Sequence, residues 1–251
     1  MQKNINFTFG IITNGNNDDF IVKIIDDIKK QNIPNYEIII VGGLNDFNNT
    51  VHISFNENEK INWITKKKNI ITNLAKYDNI VYLHDYITLC ENWYSGFLKY
   101  GDNFKICMTK IKNMDDTRFR DWTLWFGDKN FEESNNLYDE FNVGCIIKNN
   151  QFLLPYSVNL SKFMYFSGAY WIAKKDVMIE FPLNEKLSWC NGEDVEWSLR
   201  IRKKYDFFIN EKSEVKLLKY KNRIFDEISK EYIEKITKIY NILYYNKNIK
   251  T

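Results

Sequence analysis

Residues 6–43, NFTFGIITNGNNDDFIVKIIDDIKKQNIPNYEIIIVGG, decide the fold class. Asn6–Thr13 is rich in β-branched and aromatic residues, which suit a strand. It ends in NGNNDD, a polar run with turn residues, after which DFIVKIIDDIKKQ repeats apolar residues at helical spacing. Pro34 breaks that pattern because proline lacks the N–H a helix interior needs. Beyond it, YEIIIVGG is a short continuous apolar run, as required of a strand buried on both faces. The unit reads strand, helix, strand.

The alternation continues outward. A third strand is expected near Val51–Phe55, a helix over about Ile64–Lys76, and one further buried strand in NIVYLHDYITL. Strands that alternate with helices argue for an α/β domain with a mostly parallel central sheet flanked by helices, and for ligands beyond the C-terminal ends of its strands. Residues 102–165 lack clean periodicity and hold KNMDDTRFRDWTLWFGDKNFEESNNLYDE, which fits a substrate-facing excursion. After it, MYFSGAYWIAKKDVMIEFPLNEKLSWCNGEDVEWSLRIRKKY reads as strand, short helix, loop and helix. The end, DEISKEYIEKITKIYNILYYNKNIK, sets apolar residues at helical spacing with lysines opposite. One domain over 1–221 with a helical extension over 222–251 is the expected organisation. That last helix suits packing on the core or on a second copy, with peripheral membrane contact as the alternative.

Composition excludes several classes. The 251 residues carry 35 Lys+Arg against 33 Asp+Glu, and a net charge of +2 is too balanced for a nucleic-acid binder whose affinity rests on neutralising phosphates. Cys90, Cys107, Cys145 and Cys190 lie far apart, with no CxxC pair and no neighbouring histidine to suggest zinc; they read as reduced, mostly buried thiols. MQKNINFTFGIITNG lacks the zones of a signal peptide, and no apolar run approaches the ~20 residues of a membrane helix. A cytoplasmic location is the expectation.

Polar residues collect where the strands end. Thr13 and Asn14 follow the first, Asn45 and Asp46 the second, and His84 with Asp85 interrupts the fourth apolar run. A buried His-Asp pair is costly unless partnered. Either the two bond each other or a loop amide, or they hold a divalent cation; carboxylate and imidazole suit Mn²⁺, and carboxylate suits Mg²⁺. LSWCNGEDVEWSLR, residues 187–200, sets Glu193, Asp194 and Glu196 between two tryptophans, just after Gly192. Acids in a helix's first turn are favoured by the unpaired amides there, which explains one or two of the three. Glu196 falls two positions beyond Asp194 and points elsewhere on a helix.

Taken in order, FTFGIITNG, YEIIIVGGLND, TKKKNIITNLAKYDNIVYLHDYITL, YFSGAYWIAKK and SWCNGEDVEWSLR span about residues 5–210. The set resembles the family 2 type of nucleotide-sugar glycosyltransferases, which have the Rossmann-like GT-A fold. NGEDVEW also resembles the GED region of the galactosyltransferases. The resemblance implies a sugar transfer, from a UDP-linked donor to a hydroxyl of a glycan or related acceptor, with inversion. It implies Thr13 and Asn14 at the edge of the nucleotide pocket, Asp46 on base or ribose, and Lys68 and Asn69 near the nucleotide. His84, Asp85 and Tyr86 occupy its DxD place. His stands there for the first Asp, which leaves Asp85 as metal ligand, with His84 beside it, for Mn²⁺ or Mg²⁺. Asp194 matches the general base, Glu193 a group on sugar hydroxyls, and Gly192 a close backbone approach to the sugar. Trp189 offers an apolar face to a sugar ring, while Trp197 reads as core.

Lys219 and Lys221 fall where such enzymes place a basic loop over the phosphates, although a lysine-rich loop is also ordinary solvated surface. Arg118, Arg120, Asp121 and Trp122, in RFRDWTLW, are candidates for acceptor or donor-phosphate contacts, and a structural salt bridge explains Arg120 and Asp121 equally well. Two other functions compete. A sugar-nucleotide or glycan-binding module of the same fold without catalysis would account for the missing second carboxylate. A nucleotidyltransferase would need a glycine-rich basic loop after the first strand, where TNGNNDDF has one glycine and two acids.

Overall fold

The computed structural model describes residues 4–125, 152–221 and 225–245. In chain order it runs β1 (Phe7–Ile12), α1 (Asp18–Lys30), β2 (Tyr36–Val41), β3 (Val51–Ile53), α2 (Ile64–Leu74), β4 (Asn79–His84), β5 (Ile87–Leu89), α3 (Trp93–Tyr100), β6 (Ile106–Lys112) and β7 (Thr123–Leu124). There follow β8 (Phe152–Leu153), a 3₁₀ turn (Val158–Phe163), β9 (Met164–Tyr165), β10 (Tyr170–Lys174), α4 (Lys175–Glu180), α5 (Glu193–Ile201), β11 (Phe207–Leu217), β12 (Asp226–Glu227) and α6 (Lys230–Tyr245).

An eight-stranded sheet in the order β3-β2-β1-β4-β10-β6-β11-β5 carries the fold, and a small sheet in the order β12-β8-β7-β9 lies beside it. β3, β2, β1 and β4 run parallel, as does β6 with β11, whereas β10 and β5 run antiparallel to their neighbours. Every residue of β1 and β4 is buried, which is why their sequences are apolar without alternation. α1 covers the sheet through Ile21, Ile24, Ile25 and Ile28. Their spacing gives one apolar face, and each isoleucine taken out of water contributes about 1.5–3 kcal/mol.

Three expectations change. NIVYLHDYITL is not one strand, because the chain turns at Asp85 and Tyr86 and β5 leaves to pair with β11 at the far edge of the sheet. Ile106–Lys112, inside the stretch read as an excursion, is a core strand held between β10 and β11. Among the described cysteines Cys107 is buried, but Cys90 is half-buried and Cys190 exposed, because Cys190 sits in the loop before α5 with a left-handed φ of 66°. Cys145 and the rest of 126–151 lie outside the described residues. α6 packs on the core, with Ile236 and Ile239 fully buried in the main apolar cluster and Tyr240 edge-on to Phe163. Among the described residues no helix is long and apolar enough to cross a membrane.

α2 approaches β1 closely at Gly10, where an added Cβ would meet Ile71 Cγ2 at 2.3 Å. Gly10→Ala should therefore lower stability by about 1–3 kcal/mol through overpacking. In a double-mutant cycle with Ile71→Ala, read from urea midpoints, the combined loss should be smaller than the sum of the single losses.

Candidate active site

The parallel register sets Ile12 opposite His84, so the chain ends of β1 and β4 open side by side at one edge of the sheet. The turn after β4 is pinned there, with Asp85 N–H donating to the Ile12 carbonyl (3.2 Å) and His84 N–H to that of Ala169 (3.0 Å). Thr13 Oγ1 (2.8 Å) and Asn17 Nδ2 (3.0 Å) both donate to Asp85 Oδ2, leaving Oδ1 outside these bonds. Burial, followed by the nearby Lys68, Lys221 and Lys219, holds the His84 imidazole well below its usual pKa, so the ring is neutral. The Gly168 carbonyl faces the ring and can only accept, so the nitrogen toward it carries the proton. His84 Nε2 is buried with no hydrogen-bond partner.

These atoms fit a divalent cation. An orphaned imidazole nitrogen and a carboxylate line the same cavity, and their donor types suit Mn²⁺ and, through the oxygen, Mg²⁺. Among the described residues no group of three or more His, Cys, Asp and Glu is placed to hold a metal. A cation here would take the rest of its ligands from a bound phosphate, which is how Mg²⁺ is commonly held.

Two cavities meet at this turn. The first, about 350 Å³, is lined by Thr13, Asn14, Asn17, Asn62, Lys67 and the turn 84–86, with Trp189, Lys219 and Lys221. The ammonium groups of Lys219 and Lys221 stand 4.4 and 3.8 Å from the centre of the Tyr86 ring. The second cavity, about 690 Å³, shares His84, Tyr86, Trp189 and Lys221 with the first and extends to Arg120, Gly168, Gly192, Glu193 and Asp194. They form one cleft with two lobes.

The second lobe is built on the first turn of α5. Gly192 begins that helix in the left-handed region (φ 68°), a conformation glycine adopts without steric penalty. The inner face of α5 is held by Trp197, packed against Trp171 and Phe166, and by Ser198, whose Oγ accepts from Phe166 N–H at 3.0 Å. Asp194 is fixed by two backbone amides, Gly168 N–H to Oδ2 (2.8 Å) and Val195 N–H to Oδ1 (2.9 Å). Burial raises the pKa of both acids, and burial with the neighbouring Asp194 carboxylate pushes Glu193 up to about 7. Glu196 turns away and pairs with Arg200.

The structure thus brings together Thr13, Asn14, His84, Asp85, Lys219 and Lys221 in the first lobe, and Arg120, Gly192, Glu193 and Asp194 in the second, with Trp189, 53% exposed, shared by both. It does not bring Asp46 there, since that carboxylate faces solvent and pairs with His52 Nδ1 at 2.8 Å. Asn69 is spent on pinning a loop, because its amide bonds Leu183 and Glu185. Lys68 is buried beneath the acid pair and lines neither lobe. Trp122 is wholly buried, and the Asp121 carboxylate is taken up by Arg118, Tyr156 and two backbone amides. Arg118 also binds the Leu154 carbonyl and Glu227, so the ion pair of the RFRD segment joins Arg118 rather than Arg120 to Asp121.

Lys67, Asn17, Asn62 and Gly168 belong to the cleft and were not legible as site residues. Lys67 sits one helical position before Lys68, about 100° around the axis, and its ammonium donates to the Thr13 carbonyl (2.6 Å) and Glu57 (2.5 Å). In a KKK run only the phase of the helix separates the lysine that reaches the cleft from the one beneath it.

No protein-family model matches the chain, and no curated protein matches it. Among solved structures, that of GalNAc-T7 with UDP, GalNAc and Mn²⁺ superposes with a TM-score of 0.59 at 12% identity, covering 95% of this chain and 48% of that one. S. aureus TarS, residues 1–349, gives a TM-score of 0.49 at 12% identity, covering 94% of this chain and 64% of that one. The chain spans about half the length of the GalNAc-T7 chain. What the likeness shows is the architecture: a mixed α/β chain with the GT-A fold, whose large sheet carries the cleft at its edge.

Proposed function

We propose that the protein is a glycosyltransferase that moves a sugar from a UDP-linked donor to a hydroxyl of a glycan or related acceptor, with inversion and with Asp194 as general base. The reading rests on one observation. The Glu193–Asp194 pair stands in the same cleft as a His-Asp turn flanked by two lysines, so a base and a diphosphate site face one space. The GT-A fold, seen in a structure that holds UDP, GalNAc and Mn²⁺, supports it.

In an inverting transfer the acceptor hydroxyl attacks the anomeric carbon, its proton passes to a carboxylate, and the nucleoside diphosphate leaves from the opposite face. Two amide bonds orient Asp194 and favour its charged form. Glu193 has no such pair of donors and takes the first proton as the pH falls toward 7, so Asp194 keeps the charge and accepts the acceptor's proton. Neutral Glu193 is then able to donate a hydrogen bond to a sugar oxygen. Lys219 and Lys221, beside Tyr86, present positive charge to the leaving diphosphate. His84 Nε2 and Asp85 would hold Mn²⁺ or Mg²⁺, which when bound supplies further neutralisation of that charge.

Three outcomes test the reading. Asp194→Asn should lower transfer by roughly 10²–10⁴-fold, the usual worth of a general base, while calorimetric affinity for UDP stays at the wild-type value. Over a panel of UDP-, GDP-, CMP- and TDP-sugars, the protein should slowly hydrolyse a UDP-sugar with Mn²⁺ or Mg²⁺ and not with chelator, and Asp85→Ala should weaken metal-dependent UDP binding. Binding without turnover, even with acceptors supplied, would favour the glycan- or nucleotide-binding module, and absence of both would sink the proposal.

The third outcome concerns pH. Glu193 ionises near 7 in the folded protein against an ordinary 4.5, so between those values the folded state holds a proton that the unfolded chain has lost. The stability this group contributes is complete below 4.5 and falls as the pH rises through 7. Glu193→Gln should flatten that slope in thermal unfolding.

A further inference from the structure

Lys68 is a cation that the cleft does not touch. It lies on the inner side of α2, 1% exposed, and an ammonium removed from water is unfavourable unless acceptors and opposite charge surround it. Here its Nζ donates to the Gly168 carbonyl at 2.5 Å and stands 4.2 Å from the centre of the Trp171 ring. From α5 the charges of Glu193 and Asp194 act on it, and from β4 the neutral His84 faces it. Gly168 is therefore bonded on both sides, its carbonyl to Lys68 and its N–H to Asp194 Oδ2. The fit leaves no spare room, since a methyl at Gly168 would come within 3.1 Å of Glu193 Oε1 and 3.2 Å of Asp194 Oδ2.

We propose that Lys68 is a positioning residue for the acid pair and not a nucleotide contact. It fixes Gly168, through Gly168 it orients Asp194, and its charge balances the negative charge that the pair carries. The catalytic consequence rests on the transferase reading, but the bridge from Lys68 through Gly168 to Asp194 stands without it.

Lys68→Met keeps most of the side chain's length while removing charge and donor. The expected result is a kcat lowered by roughly 100-fold, the scale of a small misplacement of a reacting group, with donor KM and calorimetric UDP affinity unchanged. Independently of turnover, the ¹³C carboxyl resonance of Glu193, assigned with Glu193→Gln, should titrate at higher pH in Lys68→Met than in wild type. Loss of UDP affinity in Lys68→Met, an unchanged kcat, or a Glu193 midpoint that does not move would overturn the proposal.

If Lys68→Met does not fold, the double variant Lys68→Met/Asp194→Asn decides. It removes the carboxylate left without its counter-charge, so cooperative thermal unfolding should return; a double variant that is equally unfolded refutes the pairing. Should wild type turn over no donor at all, the transferase reading fails by itself. The carboxyl titration and the rescue of folding by Asp194→Asn then still confirm or refute the role of Lys68 as counter-charge.

Discussion

The parallel pairing of β1 with β4, with Ile12 set against His84, is the constraint on which the rest of the molecule depends. Both strands are buried along their whole length, so a slip by one residue would exchange the two sets of side chains between the faces of the sheet. Held in that register, the end of β1 supplies Thr13 and the backbone carbonyl that anchors Asp85, and the end of β4 supplies His84. Polar and ionisable groups thus leave an apolar sheet at one edge, where burial keeps His84 neutral and where the chain can turn.

The architecture was largely written in local pattern. The β1-α1-β2 unit, α2 and α5 follow from apolar spacing and from the proline and glycine that interrupt it. What stayed hidden depends on long-range partners. NIVYLHDYITL looks like one strand because both of its halves are buried, but they are buried in different parts of the sheet, and only the pairing of β5 with β11 reveals the turn between them. Ile106–Lys112 is hard to read as a strand because the irregular polar segment after it masks where it ends.

The site divides in the same way. Glu193, Asp194, His84 and Asp85, which line the cleft, are legible because ionisable residues stand out against apolar and aromatic neighbours in the sequence. Asp46 and Asn69 follow from the resemblance and Asp121 and Trp122 from residue type, yet Asp46 faces solvent, Asn69 and Asp121 are bonded inside the scaffold, and Trp122 is buried in the core. Type alone does not separate a side chain that binds from one that braces. Gly168 illustrates the reverse, since it brings no side chain at all and still joins the neutral histidine, the buried lysine and Asp194 through its backbone.

The irregularity of β11 has its own bearing on the cleft. Its residues pair with Thr109 at Asn210 and with Lys110 only at Glu214, so 211–213 have no partner on β6. Three is an odd number, and an odd insertion reverses the phase of a two-residue repeat. Val215 and Leu217 consequently emerge with the opposite parity, relative to β6, from Phe207 and Ile209, and the Leu218 amide meets the Tyr86 carbonyl at 2.9 Å. Lys219 and Lys221 follow in the bend beyond the end of β11, and both stand over the same Tyr86 ring. The bulge acts as a phase switch in the chain, deciding by a count of residues which face of the sheet each side chain in the second half of β11 joins before the chain leaves for the Tyr86 turn.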